Sequence, residues 1–217
     1  MFGEVSLQTF HRMPQYLKTL YELRKEGRES VSSVTLAEML NLTPSIVKKD
    51  LSQAKVQDGK PKVGYAVNDL IDDIENFLGY NNAKDAVLVG CGKLGQALLG
   101  YTGFADYGLN IIAGFDISDD VIGQKVQGKL ILPTGKLEGA IKKLDIKIAI
   151  LTVPQEHAQA MADALVKAGI RAIWNFTPAH ISVPANIAVR NENMASSLAV
   201  LSAQLREILK KENNLNQ

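Results

Sequence analysis

The stretch VLVGCGKLGQALLG, Val87 to Gly100, passes from an apolar run through three closely spaced glycines into a helix-forming segment. Gly90, Gly92 and Gly95 stand in the order G-x-G-x-x-G, a spacing that suits a pyrophosphate. The first glycine permits a tight turn, the second lets phosphates approach the backbone, and the third lets helix and strand pack closely. Cys91, Lys93 and Leu94 complete the candidate cradle, where unpaired N–H groups and the positive end of a helix dipole would meet phosphate charge. The pattern leaves one alternative open: a glycine turn that packs a helix on a sheet and holds no ligand.

Asp116 closes the next apolar run, IIAGFD, 26 residues beyond Gly90. A carboxylate roughly 20 residues after the first glycine suits the ribose hydroxyls of adenosine. The following ISDD contains neither lysine nor arginine, so a 2′-phosphate would meet Asp116, Asp119 and Asp120. NAD, as NAD+ or NADH, is therefore favoured over NADP. Two later segments, LTVPQEHA and WNFTPAHISVP, end apolar runs at what would be the carboxyl edge of a sheet. They make Thr152, Val153, Pro154, Asn175, Phe176 and Thr177 candidates for the nicotinamide side. Ordinary strand-end loops explain the same pattern equally well.

Little else in the chain could do chemistry. His11, His157 and His180 are far apart, in no metal-ligand spacing, and read as surface residues. Cys91, the single cysteine, excludes an intrachain disulfide framework and fits a reducing cytoplasm. It reads as a small filler of the turn rather than a reactive thiol. A dehydrogenase needs a substrate pocket and an acid–base group near the nicotinamide. No residue is placed for that work, so the expectation is no enzyme and no metal.

From residue 81 the elements that would position the glycine turn are strands alternating with helices. Strands are expected at Ala86–Val89, Ile111–Phe115, Ile148–Val153, Ala172–Asn175 and Ile187–Val189, with helices at Leu94–Ala105, Leu137–Leu144 and Glu156–Lys167. That alternation predicts a parallel sheet covered on both faces. After it, Met194, Leu198, Leu201, Leu205 and Leu209 recur at steps of three or four in a terminal amphipathic helix. Burial against a partner subunit is the expectation, and folding back on its own domain the alternative.

Residues 1–80 read differently. RMPQYLKTLYELRKEG turns Tyr16, Leu17, Leu20 and Leu23 to one face and stops at Gly27. SSVTLAEML carries capping serines, Ser32 and Ser33, with Leu36, Ala37 and Leu40 inward. Asn41 follows where a positive φ is expected. TPSIVKKDLSQAK restarts a helix with Thr43 as cap and Pro44 in first position, its Ile46, Val47 and Leu51 expected inward. Two short helices around a tight turn form a helix-turn-helix pattern. VQDGKPKVGY, with its Asp58-Gly59 turn signal, fits a wing, and NDLIDDIENFLGY is a connecting helix that stops at Gly79.

Charge gives partial support for nucleic acid. The whole chain has a net charge of +1, and residues 1–80 hold ten Lys and Arg against eleven Asp and Glu. Between Thr43 and Tyr65, however, five lysines face only Asp50 and Asp58. Ser45, Lys48, Lys49 and Ser52 on the second helix, with Lys60 and Lys62 on the wing, are the candidate DNA contacts. No arginine stands among them for bidentate reading of guanine. A solvated charged helix is the alternative. The chain of 217 residues has no apolar run near the ~20 needed to span a membrane, and its N-terminus shows no signal-peptide pattern.

Taken together, FHRMPQYLKTL, VSSVTLAEML, IVKKDLS, VGYAV, VLVGCGKLGQALLGYTGF, FDIS, ILTVP and GIRAIWNFTPAHISVP, with the terminal helix, resemble the Rex family of redox-sensing transcriptional repressors almost end to end. The resemblance implies an α/β chain in three parts: a winged helix-turn-helix DNA-binding domain over 1–80, a Rossmann-type parallel-sheet NAD(H)-binding domain over 81–192, and a domain-swapped helix over 193–217 exchanged in a homodimer. It implies operator DNA as partner, released when NADH accumulates, and a cytoplasmic location. It also implies a redox switch of an arginine, a tyrosine and an aspartate. The first two fall on Arg12 and Tyr101; the third falls on Asn193, which cannot form the ion pair. Redox discrimination is therefore expected in weakened or altered form. A second departure is the recognition helix, where Lys48-Lys49 stands in place of arginines and no aromatic-glycine pair follows. That leaves operator preference altered or DNA binding lost.

Overall fold

The computed structural model describes residues 5–56, 59–60, 63–80, 85–192 and 194–215; Asp58, Lys62 and Asn193 lie outside the described residues. The chain divides into two compact units, Met1–Lys84 with Ala105–Leu109, and Asp85–Phe104 with Asn110–Gln217.

The first unit contains α1 (Leu7–Lys25), β1 (Ser30–Val31), α2 (Ser33–Met39), α3 (Pro44–Gln53), β2 (Tyr65–Ala66) and α4 (Val67–Leu78). Side-chain oxygens of Ser6, Ser32 and Thr43 cap α1, α2 and α3 by accepting from the backbone N–H three residues on. Asn41 takes φ 53° in the turn between α2 and α3, and Gly79 ends α4 with φ 74°. β1 and β2 pair antiparallel, and Lys60 and Gly64 exchange backbone hydrogen bonds between α3 and β2. Helix α1 starts about a turn earlier than its apolar periodicity indicates, with Pro14 inside it. That early start places Thr9 and Arg12 on the helix. The core is built from Met13, Tyr16, Leu17, Leu20, Leu36, Val47, Leu51, Leu70 and Ile74.

One inward position on α3 differs from expectation. Ile46 is 36% exposed, whereas Asp50 is 1% exposed. At about 100° per residue the buried arc centres on Val47, Leu51 and Ala54. Asp50 falls at its edge, where Arg12 neutralises it, and Ile46 falls outside.

The second unit is a seven-stranded sheet formed by β3 (Asp85–Val89), β4 (Asn110–Asp116), β5 (Lys125–Val126), β6 (Lys129–Pro133), β7 (Ile148–Leu151), β8 (Ala172–Asn175) and β9 (Ala188–Asn191). Helices α5 (Lys93–Gly100), α6 (Leu137–Lys143) and α7 (Ala158–Ala168) connect them, and α8 (Met194–Leu215) follows. The strand order is β5-β6-β4-β3-β7-β8-β9, with every pair parallel except β5-β6. Two of the seven strands, β5 and β6, are not among those expected from sequence. No helix separates β4 from β6, so the strand–helix alternation gives no cue there. The expected helix Leu94–Ala105 ends at Gly100 and is followed by a 3₁₀ turn, Thr102–Tyr107. The expected helix from Glu156 begins as a 3₁₀ turn, Gln155–His157, before α7.

The chain runs outward from β3 to one edge, then returns to start again at β7. Open α/β sheets bind ligands at such a reversal, beyond the carboxyl ends of the two central strands. On α8, Leu198, Leu201, Leu205 and Leu209 form one stripe, each about half exposed or more. No helix among the described residues is long and apolar enough to cross a membrane.

Candidate functional site

The glycine turn lies at the reversal, between the carboxyl ends of β3 and β7. Gly90 takes φ +95°, and a Cβ there would lie 2.7 Å from the Thr152 carbonyl carbon. A Cβ on Gly95 would lie 1.9 Å from the Gly90 oxygen. These two glycines are therefore required by the fold itself. Gly92 is not: its φ is −67°, and a Cβ on it would meet nothing within 4 Å. The space in front of Gly92 opens at the N-terminus of α5, whose first N–H groups have no acceptor inside the helix. A side chain at this position would project into that open space.

The turn is held from both neighbouring strands. Gly90 donates its N–H to the Phe115 carbonyl at 2.8 Å. Thr152 donates its hydroxyl to the Gly90 carbonyl at 2.6 Å, and its backbone N–H donates to Val89 at 2.9 Å. Asp116 accepts from the backbone N–H groups of Cys91, Ile117 (2.7 Å) and Ser118 (2.9 Å). Its carboxylate is thereby fixed at the end of β4, beside the turn. Cys91 is fully buried, and burial, followed by the Asp116 charge, pushes its thiol up to about 12. It serves as filler, not as a nucleophile.

Beside the turn lies a mostly apolar cavity of about 260 Å³, lined by Val89, Gly90, Phe115, Asp116, Ile117, Thr134, Val153, Pro154, His157, Ala160 and Met161. Its size and lining suit a flat heteroaromatic ring next to a polar group. The cavity unites Gly90, Asp116, Val153 and Pro154 from among the expected residues. His157, expected at the surface, is exposed but also lines this cavity, and Met161 lies one helical turn beyond it. The i, i+4 spacing of His157 and Met161 is the signal in the sequence that could have found them.

Other expected residues have different roles. Asn175 is fully buried: it donates to the Ala179 and Asn191 oxygens at 2.9 and 2.8 Å and accepts from Thr177. Asn175 and Thr177 thus brace the loop after β8 and do not present side chains to a ligand. Phe176 belongs to an aromatic chain of Tyr101, Phe104, Trp174 and Phe176, with successive ring centroids 4.8, 5.4 and 4.9 Å apart. Tyr101 stands 54% exposed at one end of it. Lys93 and Leu94 are exposed at the start of α5.

In the first unit, Ser45, Lys48, Lys49 and Ser52 all lie on the exposed arc of α3, opposite Val47 and Leu51, and Lys60 is exposed beyond it. Arg12 belongs to this unit too. Its guanidinium donates through Nε and Nη2 to the two oxygens of Asp50, at 2.6 and 2.7 Å. Sequence reasoning alone misses Asp50. An acidic residue on the inward stripe of an amphipathic helix is the signal that marks it. No group of His, Cys, Asp and Glu among the described residues is arranged to hold a metal ion.

A helix-turn-helix unit with lysines on its outer helix, joined to a dinucleotide-type α/β unit, defines a class: nucleotide-responsive, DNA-directed regulators. Residues 81–179 match the family model described as CoA binding domain, and residues 4–52 match the putative DNA-binding protein N-terminus. A redox-sensing transcriptional repressor Rex of Treponema denticola is 43% identical over 194 residues, 89% of this chain and 92% of that protein. The Rex of Porphyromonas gingivalis is 40% identical over 200 residues, 92% of this chain and 91% of that protein. RSP, crystallised with beta-NAD+ and operator DNA, is 34% identical with a TM-score of 0.85, covering 97% of each chain. In complex with beta-NADH the TM-score is 0.78, over 96% of this chain and 98% of that one. The chain belongs to the Rex family of redox-sensing transcriptional repressors.

Proposed function

We propose that this chain acts as a homodimeric repressor that holds operator DNA through α3 and the segment after it, and lets go when NADH occupies the β3–β7 crevice. One observation carries the proposal. A single chain joins an open phosphate cradle in front of Gly92 to a helix with Ser45, Lys48, Lys49 and Ser52 on one outward arc. The RSP complexes with beta-NAD+ and operator DNA, and with beta-NADH, support the same pairing.

Gly90, Cys91, Gly92, Lys93, Leu94 and Gly95 hold the pyrophosphate, Asp116 the adenosine ribose, and the cavity beside them the adenine. Val153 and Pro154, expected on the nicotinamide side, line that adenine cavity, and Phe176 serves the nicotinamide side, on loops braced by Thr152, Asn175 and Thr177. Asp116, Asp119 and Asp120 repel any further phosphate on the ribose. That argues against NADP, and equally against coenzyme A, which also carries a ribose phosphate. When bound, the nicotinamide supplies a change of one positive charge between its oxidised and reduced forms. Arg12, Tyr101 and Asn193 form the redox response, and NADH acts by its differential affinity for two forms of the dimer. The dinucleotide is read, not consumed, so no enzyme activity is assigned. Division of labour follows residues 1–80, 81–192 and 193–217, α8 is the dimer contact, and the site of action is the cytoplasm.

The test is operator affinity at fixed salt with saturating NAD+ and with saturating NADH. The proposal requires measurably weaker binding with NADH; equal affinity in the two states overturns it. A second reading, dinucleotide binding with altered DNA preference, is favoured by the absence of arginine from the outer face of α3. A gel-shift salt series separates the two, because specific binding survives physiological salt.

A further inference from the structure

The outer face of α3 can read a groove only if the helix is held at one rotation about its axis. A roll of about 15° moves side-chain ends by roughly 1.5 Å at the ~6 Å radius of a helix with its side chains. That is enough to break a hydrogen bond. Val47, Leu51 and Ala54 hold α3 by apolar burial, which is non-directional. Asp50 is different. Its carboxylate, 1% exposed, takes two bonds from the Arg12 guanidinium and one from the Tyr16 hydroxyl at 3.1 Å. The Thr9 hydroxyl, 2.9 Å from Asp50 and 2.6 Å from the Gln53 side-chain oxygen, shares its single hydrogen between these two residues of α3. Thr9, Arg12 and Tyr16 fall on one face of α1, at i, i+3 and i+7. A planar fork against a carboxylate is the most directional ion pair a protein can build.

We propose that Asp50 is the positioning residue of the DNA-reading helix: gripped by Arg12, Thr9 and Tyr16, it fixes the roll of α3 and so aims Ser45, Lys48, Lys49 and Ser52. This rests on the DNA-binding function proposed above. Arg12 is bound to the task, because withdrawing it strands a buried carboxylate. Any effector event that engages the guanidinium, which is 25% exposed, is therefore delivered straight to α3.

The test uses the full chain and a duplex selected from random sequence by the unaltered protein. Asp50→Asn and Arg12→Lys are measured for affinity to that duplex and to scrambled DNA over a salt series. A misaimed helix acts like mismatched base pairs, each worth about tenfold or more in specific affinity. Both variants should lose about tenfold or more on the selected duplex, yet keep scrambled-DNA affinity and the salt slope, since the lysines are unchanged. Leu36→Val, a core change away from Asp50, should melt earlier yet keep the ratio of selected to scrambled affinity. If Asp50→Asn does not fold, Arg12→Lys, which keeps the charge opposite Asp50, decides the question. An unchanged ratio in a folded variant overturns the inference and leaves the proposed function standing. Failure of the unaltered chain to select any duplex overturns both.

Discussion

Gly92 and Gly95 lie three residues apart in one motif, yet substitution by alanine should have different consequences at the two. At Gly95 the new Cβ would sit 1.9 Å from the Gly90 oxygen and 3.0 Å from the Thr152 hydroxyl oxygen. Relief requires a shift of more than an ångström in a carbonyl that Thr152 holds at 2.6 Å. Overpacking costs about 1–3 kcal/mol and a lost hydrogen bond about 1 kcal/mol, so G95A should lose roughly 2–4 kcal/mol of stability. At Gly92 the Cβ meets nothing and the backbone is extended at φ −67°, a conformation alanine adopts freely. Lower unfolded-chain entropy and a poorer helix cap roughly offset, so G92A should melt within about 1 kcal/mol of the unaltered protein. Both variants should lose NADH, G92A because its methyl occupies the phosphate opening, by about 100-fold. Urea unfolding paired with NADH titration by calorimetry measures both quantities. A G92A protein that binds NADH normally would refute the assignment of that opening to phosphate.

Further expectations follow from the same geometry. With its thiol at about 12 and fully buried, Cys91 holds about one part in ten thousand as thiolate at pH 8, against about a quarter for a free cysteine. The folded protein should therefore ignore Ellman's reagent for hours and react promptly in denaturant; fast native reaction would point to thiol-based redox sensing. If α8 is the dimer contact proposed above, Leu201→Asp with Leu205→Asp, on its exposed stripe, should leave a monomer in sedimentation where the unaltered chain is a dimer, since each leucine buried at an interface contributes about 1.5–3 kcal/mol. Burial alone would raise the Asp50 pKa, but the hydrogen bonds from Arg12, Thr9 and Tyr16 and the Arg12 charge outweigh it, and the net shift is downward. A depressed carboxylate stabilises the fold above its unfolded value, near 4, and that stability is lost as pH falls through the lower folded value. Thermal melts between pH 6 and 2 should show this acid-side loss in the unaltered protein and less of it in Asp50→Asn.

The parts legible in the sequence are those fixed by local rules. Gly90 and Gly95 are dictated by backbone conformation and contact, Asn41 by its turn, and Ser45, Lys48, Lys49 and Ser52 by helical spacing. What escapes depends on pairing across the chain. Asp50 reads as a surface charge until Arg12, 38 residues earlier, is known to face it. Asn175 and Thr177 look like ligand donors until Ala179 and Asn191 are seen to use them. The strands β5 and β6 are only two and five residues long, Leu130, Ile131 and Leu132 run together without alternation, and only Ile131 is buried in them.

In the function proposed above Arg12 has two roles, in the redox response and in the bond to Asp50 of α3, and its charge balance would decide how strongly they are linked. The family resemblance implies an acidic partner for this arginine in the redox response, at the position that here is Asn193. Asparagine can accept a hydrogen bond but offers no charge. Asp50, by contrast, offers a full charge, two-point geometry and a place out of water. A neutral competitor cannot draw a guanidinium from such a site, so Arg12 should stay with Asp50 and the response to NADH should be shallow. Asn193→Asp supplies the missing charge. It should widen the gap in operator affinity between NAD+ and NADH by about tenfold, the effect of about 1.4 kcal/mol of added coupling. Operator binding without dinucleotide should change much less, because the outer face of α3 is untouched. Fluorescence anisotropy on a labelled operator, with each dinucleotide at saturation, reads both. If the gap stays the same, Arg12 does not carry the signal, and its bond to Asp50 belongs to the architecture of the DNA-binding unit alone.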